Sequence, residues 1–157
     1  MTVTPSPPGF HTVTPYLIVD DAARAVEFYK QAFEAQELMR LSAPGGKILH
    51  AEIKIGDSLI MLADEFPEMG ARSPKSLGGT PVSIYVYVPH VDAVAARAVA
   101  AGAKVVKAVQ DQFYGDRSGL FEDPFGHRWS LGTHIEDVSP AEMEKRFAAM
   151  MQKQGSG

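Results

Sequence analysis

TPYLIVDDAARAVEFYKQAF, residues 14–33, holds a change of hydrophobic period that decides how the fold begins. In its first part Leu17 and Val19 alternate with Tyr16 and Ile18 in a short β-branched run, the pattern of a strand. In its second part Ala22, Ala25, Val26, Tyr29, Ala32 and Phe33 recur at helical spacing and fall on one face. Asp20 and Asp21 stand between the two, placed to cap the helix. Three strand-like runs follow, Gln36–Ser42, Ile48–Ile55 and Ser58–Ala63. Pro44-Gly45-Gly46 and Gly56-Asp57 are the turns that separate them. The order is βαβββ.

Residues 64–81 read as a linker, broken by Pro67, Pro74, the Gly78-Gly79 pair and Pro81. After it the order returns. Val82–Val88 reads as a strand, Val91–Ala101 as an Ala-rich helix ending at Gly102, and Lys104–Gln110 as a strand. Gly119–Glu122 and Arg128–His134 are the last two strands, joined by the turn Asp123-Pro124-Phe125-Gly126. Sliding one half on the other pairs Val19 with Val88, Ala35 with Ala103, Gly56 with Gly126 and Leu62 with Leu131. The period of about 69 residues exceeds solenoid periods and occurs only twice, so it describes paired modules rather than an array. The expectation is an α+β unit over residues 1–137, with modules at about 12–63 and 82–135. Its first ten residues, rich in Pro, Ser and Thr, read as a flexible lead-in. Residues 138–157 differ: Ser139-Pro140-Ala141-Glu142 matches a capping box, and Met143, Phe147, Met150 and Met151 form an apolar stripe. They predict an added amphipathic helix with a loose end from Gln154 to Gly157.

Composition excludes several functions. The 157 residues are 45% hydrophobic and 22% charged, a globular balance rather than a disordered one. Fifteen Lys and Arg against nineteen Asp and Glu give a net charge of -4, with the basic residues scattered. That pattern predicts no nucleic-acid partner. Without cysteine there is no disulfide framework, zinc finger, thiolate nucleophile or iron–sulfur cluster. No uncharged run approaches a membrane span, and MTVTPSPPGF lacks the regions of a signal peptide. A cytoplasmic protein without a membrane partner is expected. There is also no Gly-rich phosphate loop, no G-x-S-x-G and no H-E-x-x-H.

The two βαβββ halves, the opening VDDAARAVEFYKQAF and the closing DPFGHRWSL resemble the vicinal oxygen chelate superfamily. That group includes glyoxalase I, bleomycin-resistance proteins and extradiol dioxygenases. TPYLIVDD, HAEIKIGDSLIMLADE, FYGDRSG and DPFGHRWSLGTH look closest to its PhnB-like, glyoxalase-related branch, and the likeness runs from about Thr12 to Asp137. The resemblance implies that each module curls into a half-barrel with its helix outside, the two forming a cup. In metal-dependent members His, Gln or Glu side chains on four strands hold a divalent ion. Those positions fall here on Thr14, Met61, Ser83 and Ser130, none a usual ligand. No cofactor is predicted, a divalent metal at another site being the alternative. The resemblance also implies a homodimer, since half-barrels in this group sometimes complete the cup across chains.

Strand parity says which side chains line the cup. Val82, Ile84, Val86 and Val88 suit the helix-covered face, leaving Ser83, Tyr85 and Tyr87 to the cup. Leu49, Ala51, Ile53 and Ile55 suit the core, leaving His50, Glu52 and Lys54. The last strand turns Trp129, Leu131 and Thr133 inward and Arg128, Ser130, Gly132 and His134 outward. Tyr16, Met61 and Glu122 fall to the cup by the same rule. His50, Glu52 and Glu122 are the candidate acid–base groups, although a wet sheet face carries such residues without any function. Half-to-half register places Glu122 where His50 and Glu52 stand in the first module. Tyr85 and Tyr87 read either as packing or dimer contacts or as a stacking platform. Phe113 to Arg117 reads as a gating loop with a Gly115 hinge, Tyr114 and a guanidinium that grips an anionic group. Its alternative is a loop fixed by an internal salt bridge. His127 reads as solvated.

Tyr16, His50, Glu52, Met61, Tyr85, Tyr87, Tyr114, Arg117 and Glu122 are therefore the expected ligand contacts. The leading functional expectation is binding of a small organic molecule without the standard metal. The alternatives are a lyase, isomerase or dioxygenase acting on a small carbonyl or phenolic substrate, and a module that has lost its ligand.

Overall fold

The computed structural model describes residues 2–155 and contains two four-stranded sheets built from consecutive halves of the chain. The first half runs β1 (Tyr16–Val19), α1 (Ala22–Phe33), β2 (Gln36–Ser42), β3 (Ile48–Ile55) and β4 (Ser58–Asp64). A 3-10 turn at Pro67–Met69 and the one-turn helix α2 (Pro74–Leu77) follow. The second half runs β5 (Ser83–Tyr87), α3 (Val91–Ala100), β6 (Lys104–Asp111), β7 (Asp116–Glu122) and β8 (Arg128–His134), and α4 (Pro140–Gly155) ends it. The sheet orders are β1-β4-β3-β2 and β5-β8-β7-β6, with β1 on β4 and β5 on β8 the parallel pairs. Each half is the same right-order βαβββ unit, as the repeat requires.

The period change at Asp20-Asp21 acts as expected. The Asp21 carboxylate accepts from the Arg24 N–H at 3.2 Å and starts α1. All six residues of the sequence-derived face are buried, with Phe28 beside them. α1 packs on α3, and one continuous core joins both helices to the apolar faces of both sheets. At its centre the Trp129 ring lies 4.8 Å from Phe33 and 5.1 Å from Tyr29, centroid to centroid. Tyr29 also donates to Asp123 at 2.6 Å, so a helix of one half is fastened to a turn of the other.

Several boundaries differ from the sequence expectation. Ile48 is fully buried and Leu49 is 42% exposed, the reverse of strict alternation. The pairing of β2 with β3 steps from Leu41↔His50 to Ser42↔Ile48, so Leu49 sits in a bulge that turns it outward. Val82 precedes β5 and is exposed, and Ile84, Val86 and Val88 are only half-buried because β5 is an edge strand. The linker contains two helical turns rather than none. The helix at the C-terminus continues through Gln154 and Gly155, while Ser156 and Gly157 lie outside the described residues. None of its residues is buried, and Phe147 and Met151 are about half-exposed. Among the described residues no helix is long and apolar enough to cross a membrane.

Candidate functional site

Each sheet carries a polar cluster on the face opposite its helix. On the first, Tyr16 of β1 and His50 of β3 reach across β4, and the phenol lies 2.8 Å from His50 Nδ1. His50 Nε2 lies 2.9 Å from Glu52 Oε2. A carboxylate only accepts, so Nε2 carries the ring proton and Nδ1 accepts from the Tyr16 hydroxyl. Met61 faces both Tyr16 and Glu52 in the ladder, which makes it the floor between them. Burial, and then the nearby Glu52 charge, raise the Tyr16 phenol above its ordinary pKa. Parity therefore places Tyr16, His50, Glu52 and Met61 together as expected.

On the second sheet the centre is Asp116, which is 3% exposed. Tyr85 and Tyr87 both donate to its Oδ2, at 2.8 and 2.9 Å. His134 Nδ1 approaches Oδ1 at 2.8 Å, and the other ring nitrogen lies 2.7 Å from Asp137. The Tyr114 hydroxyl stands 3.4 Å from Ser118 Oγ beside this group. Burial pushes the Asp116 carboxyl up, but bonds from His134, Tyr85 and Tyr87 outweigh it and hold it below the usual range. Burial and the Asp116 bond push the Tyr85 phenol well up; the same bond, then burial, raises Tyr87. Bonds to Asp116 and Asp137 raise His134. The two phenol rings lie 4.7 Å apart, tilted by 34°, and stay 40% and 63% exposed. A Cβ on Gly132 would come within 2.6 Å of the Tyr85 hydroxyl, so the glycine lets the ring lie flat on β8.

Three candidates stand elsewhere. Arg117 belongs to β7 and turns toward α3, where Nε and Nη2 hold the Asp92 carboxylate and Nη1 holds Asp111. It forms a salt bridge as the alternative held, but to Asp92 and Asp111 rather than to Asp116 inside the loop, and the cup does not include it. Gly115 is not a hinge: its carbonyl accepts from the Ile135 and Glu136 N–H groups, and a side chain there would strike the Glu136 carbonyl. Glu122 lies 3.7 Å from Arg128 at the end of its sheet. Its ladder position matches Lys54, because Tyr16↔Met61↔Glu52 corresponds to Tyr85↔Ser130↔Leu120. The rung Lys54↔Leu59 encloses four residues and its counterpart Glu122↔Arg128 encloses five, and that one extra residue shifts the register. His127, expected to be solvated, instead reaches the Ile18 carbonyl at 2.8 Å and ties the halves together.

Asp116 was missed because β7 was begun at Gly119. Extending that strand back to Asp116 puts Asp116 and Ser118 on the Tyr85 face, with Asp116 directly opposite His134. A groove of about 1020 Å³ follows the seam between the halves, with Thr14, Lys54, Leu59 and His90 among its walls. Tyr85 and Tyr87 border it, whereas His50, Glu52 and Asp116 do not.

Residues 9–131 match the Glyoxalase/Bleomycin resistance protein/Dioxygenase superfamily, and the paired βαβββ sheets agree, so the chain belongs to that superfamily. It is 49% identical over 148 residues to the uncharacterized protein Mb0911c of Mycobacterium bovis, covering 92% of this chain and 95% of that one. Its structure is similar to TioX from Micromonospora sp. ML1, with a TM-score of 0.63 and 30% identity over 80% of this chain and 99% of that one. It is also similar to the Arabidopsis thaliana gene product AT5G48480, with a TM-score of 0.62 and 28% identity over 78% and 98%.

The divalent metal that the family resemblance implies does not suit this chain's residues at Thr14, Met61, Ser83 and Ser130. Met61 offers a thioether, and Thr14, Ser83 and Ser130 offer neutral hydroxyls, whereas divalent catalytic ions take imidazole and carboxylate donors. Among the described residues no three His, Asp or Glu side chains gather as a metal-holding group.

Proposed function

We propose that the protein binds a small planar organic molecule, stacked on Tyr85 and Tyr87 at the edge of the seam groove. The observation that carries this reading is the pair of half-exposed rings whose hydroxyls are fixed on one buried carboxylate. Such rings present apolar faces without the entropy cost of ordering them on binding. The groove beside them, about 1020 Å³, is at the upper end of small-molecule pockets. Tyr114 stands next to the pair and offers a third aromatic surface.

The proposal includes a homodimer. Leu38, Met39 and Leu41 on edge strand β2, and Val105 and Val106 on edge strand β6, expose apolar side chains that a second copy would cover. Sedimentation velocity at micromolar concentration is expected to give twice the 17.0 kDa chain mass. A single species at the chain mass removes the dimer from the proposal.

Thermal-shift screening with planar aromatic compounds is expected to yield a stabilising ligand. Tyr85→Ala and Tyr87→Ala should each weaken it about tenfold, roughly 1.4 kcal/mol. Arg117→Ala, on the other face of β7, should leave its affinity unchanged. Wild-type affinity in both tyrosine variants would place the site elsewhere.

A further inference from the structure

The repeat puts a tyrosine at the same ladder position in each half, Tyr16 opposite Met61 and Tyr85 opposite Ser130, but the two hydroxyls have different partners. Tyr85 donates to a carboxylate, a far weaker base than a phenolate, so its proton stays where it is. Tyr16 donates to an imidazole nitrogen whose opposite N–H is held by Glu52. A proton leaving Tyr16 therefore lands on a ring whose new positive charge faces a carboxylate. The chain phenol–imidazole–carboxylate is a base, its relay and its orienting group in line, and the Tyr16 residue is 47% exposed. On the same face of β3, two residues beyond Glu52, stands Lys54, and no ion pair joins it to another described residue. Lys54 also lines the seam groove.

We propose that Tyr16, His50 and Glu52 form a metal-independent proton-transfer site that tautomerises a small carbonyl compound bearing a carboxylate, with Lys54 holding that carboxylate. In the forward step the C–H bond next to the carbonyl breaks and its proton passes to Tyr16 Oη. The hydroxyl proton of Tyr16 moves at the same time to His50 Nδ1, and Glu52 stabilises the imidazolium. The electron pair of the broken bond becomes the new C=C, and the carbonyl oxygen takes a proton from water. His50 then returns its extra proton to water. The product is the enol, and nothing is oxidised or reduced. Tyr16 rests as the phenol, held so by burial and by Glu52, and needs no free phenolate because its own proton leaves as the new one arrives. The acid–base residues are on the first sheet and the stacking pair on the second, and no hydrogen bond or ion pair joins the two clusters among the described residues.

Phenylpyruvate in D2O is the probe, with deuterium entry at its C3 followed by proton NMR. The wild-type protein is expected to exceed the buffer rate by at least about a hundredfold. Tyr16→Phe and His50→Gln should return the rate to that of buffer, a loss within the roughly 10²–10⁴-fold range of general acid–base groups. Glu52→Gln should lose tenfold or more, and Lys54→Ala should raise KM while keeping kcat. A wild-type rate equal to buffer, or an unchanged rate in Tyr16→Phe, overturns the proposal. Nitrogen NMR of the unliganded protein gives a second test that needs no substrate. His50 is expected to carry its proton on Nε2, and a ring protonated on Nδ1 alone also overturns the proposal. Stacking on Tyr85 and Tyr87 survives either failure, since it uses neither Tyr16 nor His50.

Discussion

Asp123→Asn is expected to destabilise the protein by about 3–5 kcal/mol, the cost of stripping the charge from a buried, fully bonded carboxylate. Asp123 is 4% exposed and accepts four bonds. Oδ1 takes the Phe125 and His127 N–H groups at 2.9 and 3.0 Å, which closes the Asp123–Gly126 turn. Oδ2 takes the Tyr29 hydroxyl at 2.6 Å and the Trp129 indole N–H at 2.8 Å. An asparagine supplies one carbonyl oxygen and one NH2 group. Whichever way the amide turns, its NH2 meets two donors. If it faces the backbone, the turn loses both bonds; if it faces Oδ2's place, the Trp129 N–H has no acceptor. For a chain of this size that cost lowers the melting temperature by roughly 6–20 °C. Tyr29→Phe removes only one of the four donors and should cost about 1–2 kcal/mol. Urea unfolding of both variants checks the ranking. Equal losses would mean that Asp123 acts only through Tyr29, and a loss below 1 kcal/mol for Asp123→Asn would refute the account.

The same residue shows why parts of the structure were readable and others were not. Asp-Pro-Phe-Gly is a turn by local chemistry alone, since the Asp side chain satisfies the backbone of its own turn. The bond from Tyr29 spans 94 positions and has no local signal. Alternation recovered the outward face of β3 from His50 onward, because one unbroken ladder fixes parity. It failed at Leu49, where one extra residue in a bulge reverses the sense. Alternation gives no signal at Arg117, because Gly115 and Gly119 flank the first rungs of β7 and read as loop. Glu122 was misplaced by a loop of different length in the second copy of the repeat. Tyr16, His50 and Glu52 were legible because burial alternates without a break from Tyr16 to Val19 and from His50 to Ile55. Asp116 was not, because its partners come from β5 and β8.

Asp64→Ala is expected to cost about 2–4 kcal/mol, and Thr133→Val about 1–2 kcal/mol, because the two positions perform one task with acceptors of different strength. In each half the last part of the fourth strand lies beside the start of the helix, a consequence of the parallel pairing of β1 with β4 and of β5 with β8. The first helical N–H groups lack partners within the helix and must find one there. In the first half the Asp64 carboxylate, 7% exposed, accepts the Ala22 N–H at 2.8 Å and the Ile48 N–H at 2.6 Å. It joins α1, β3 and β4 at one point. In the second half Thr133 Oγ1 accepts the Val91 N–H at 2.9 Å and donates to the Val88 carbonyl at 2.7 Å. Ala22 and Val91, like Asp64 and Thr133, are related by the repeat. A negative charge at a helix N-terminus gains from the aligned peptide dipoles, which a hydroxyl does less, and Asp64 also serves two N–H groups rather than one. Alanine at 64 therefore strands two buried donors, whereas valine at 133 keeps the shape and strands one donor and one acceptor. The sites share no partner, so the double variant should lose the sum of the two within about 0.5 kcal/mol. Denaturant unfolding of the three variants reads this directly. A larger loss for Thr133→Val than for Asp64→Ala would reverse the ranking that charge and the number of N–H groups served impose. A double variant well short of the sum would mean that the two halves unfold separately, against the single core in which Tyr29 and Phe33 of one half pack on Trp129 of the other.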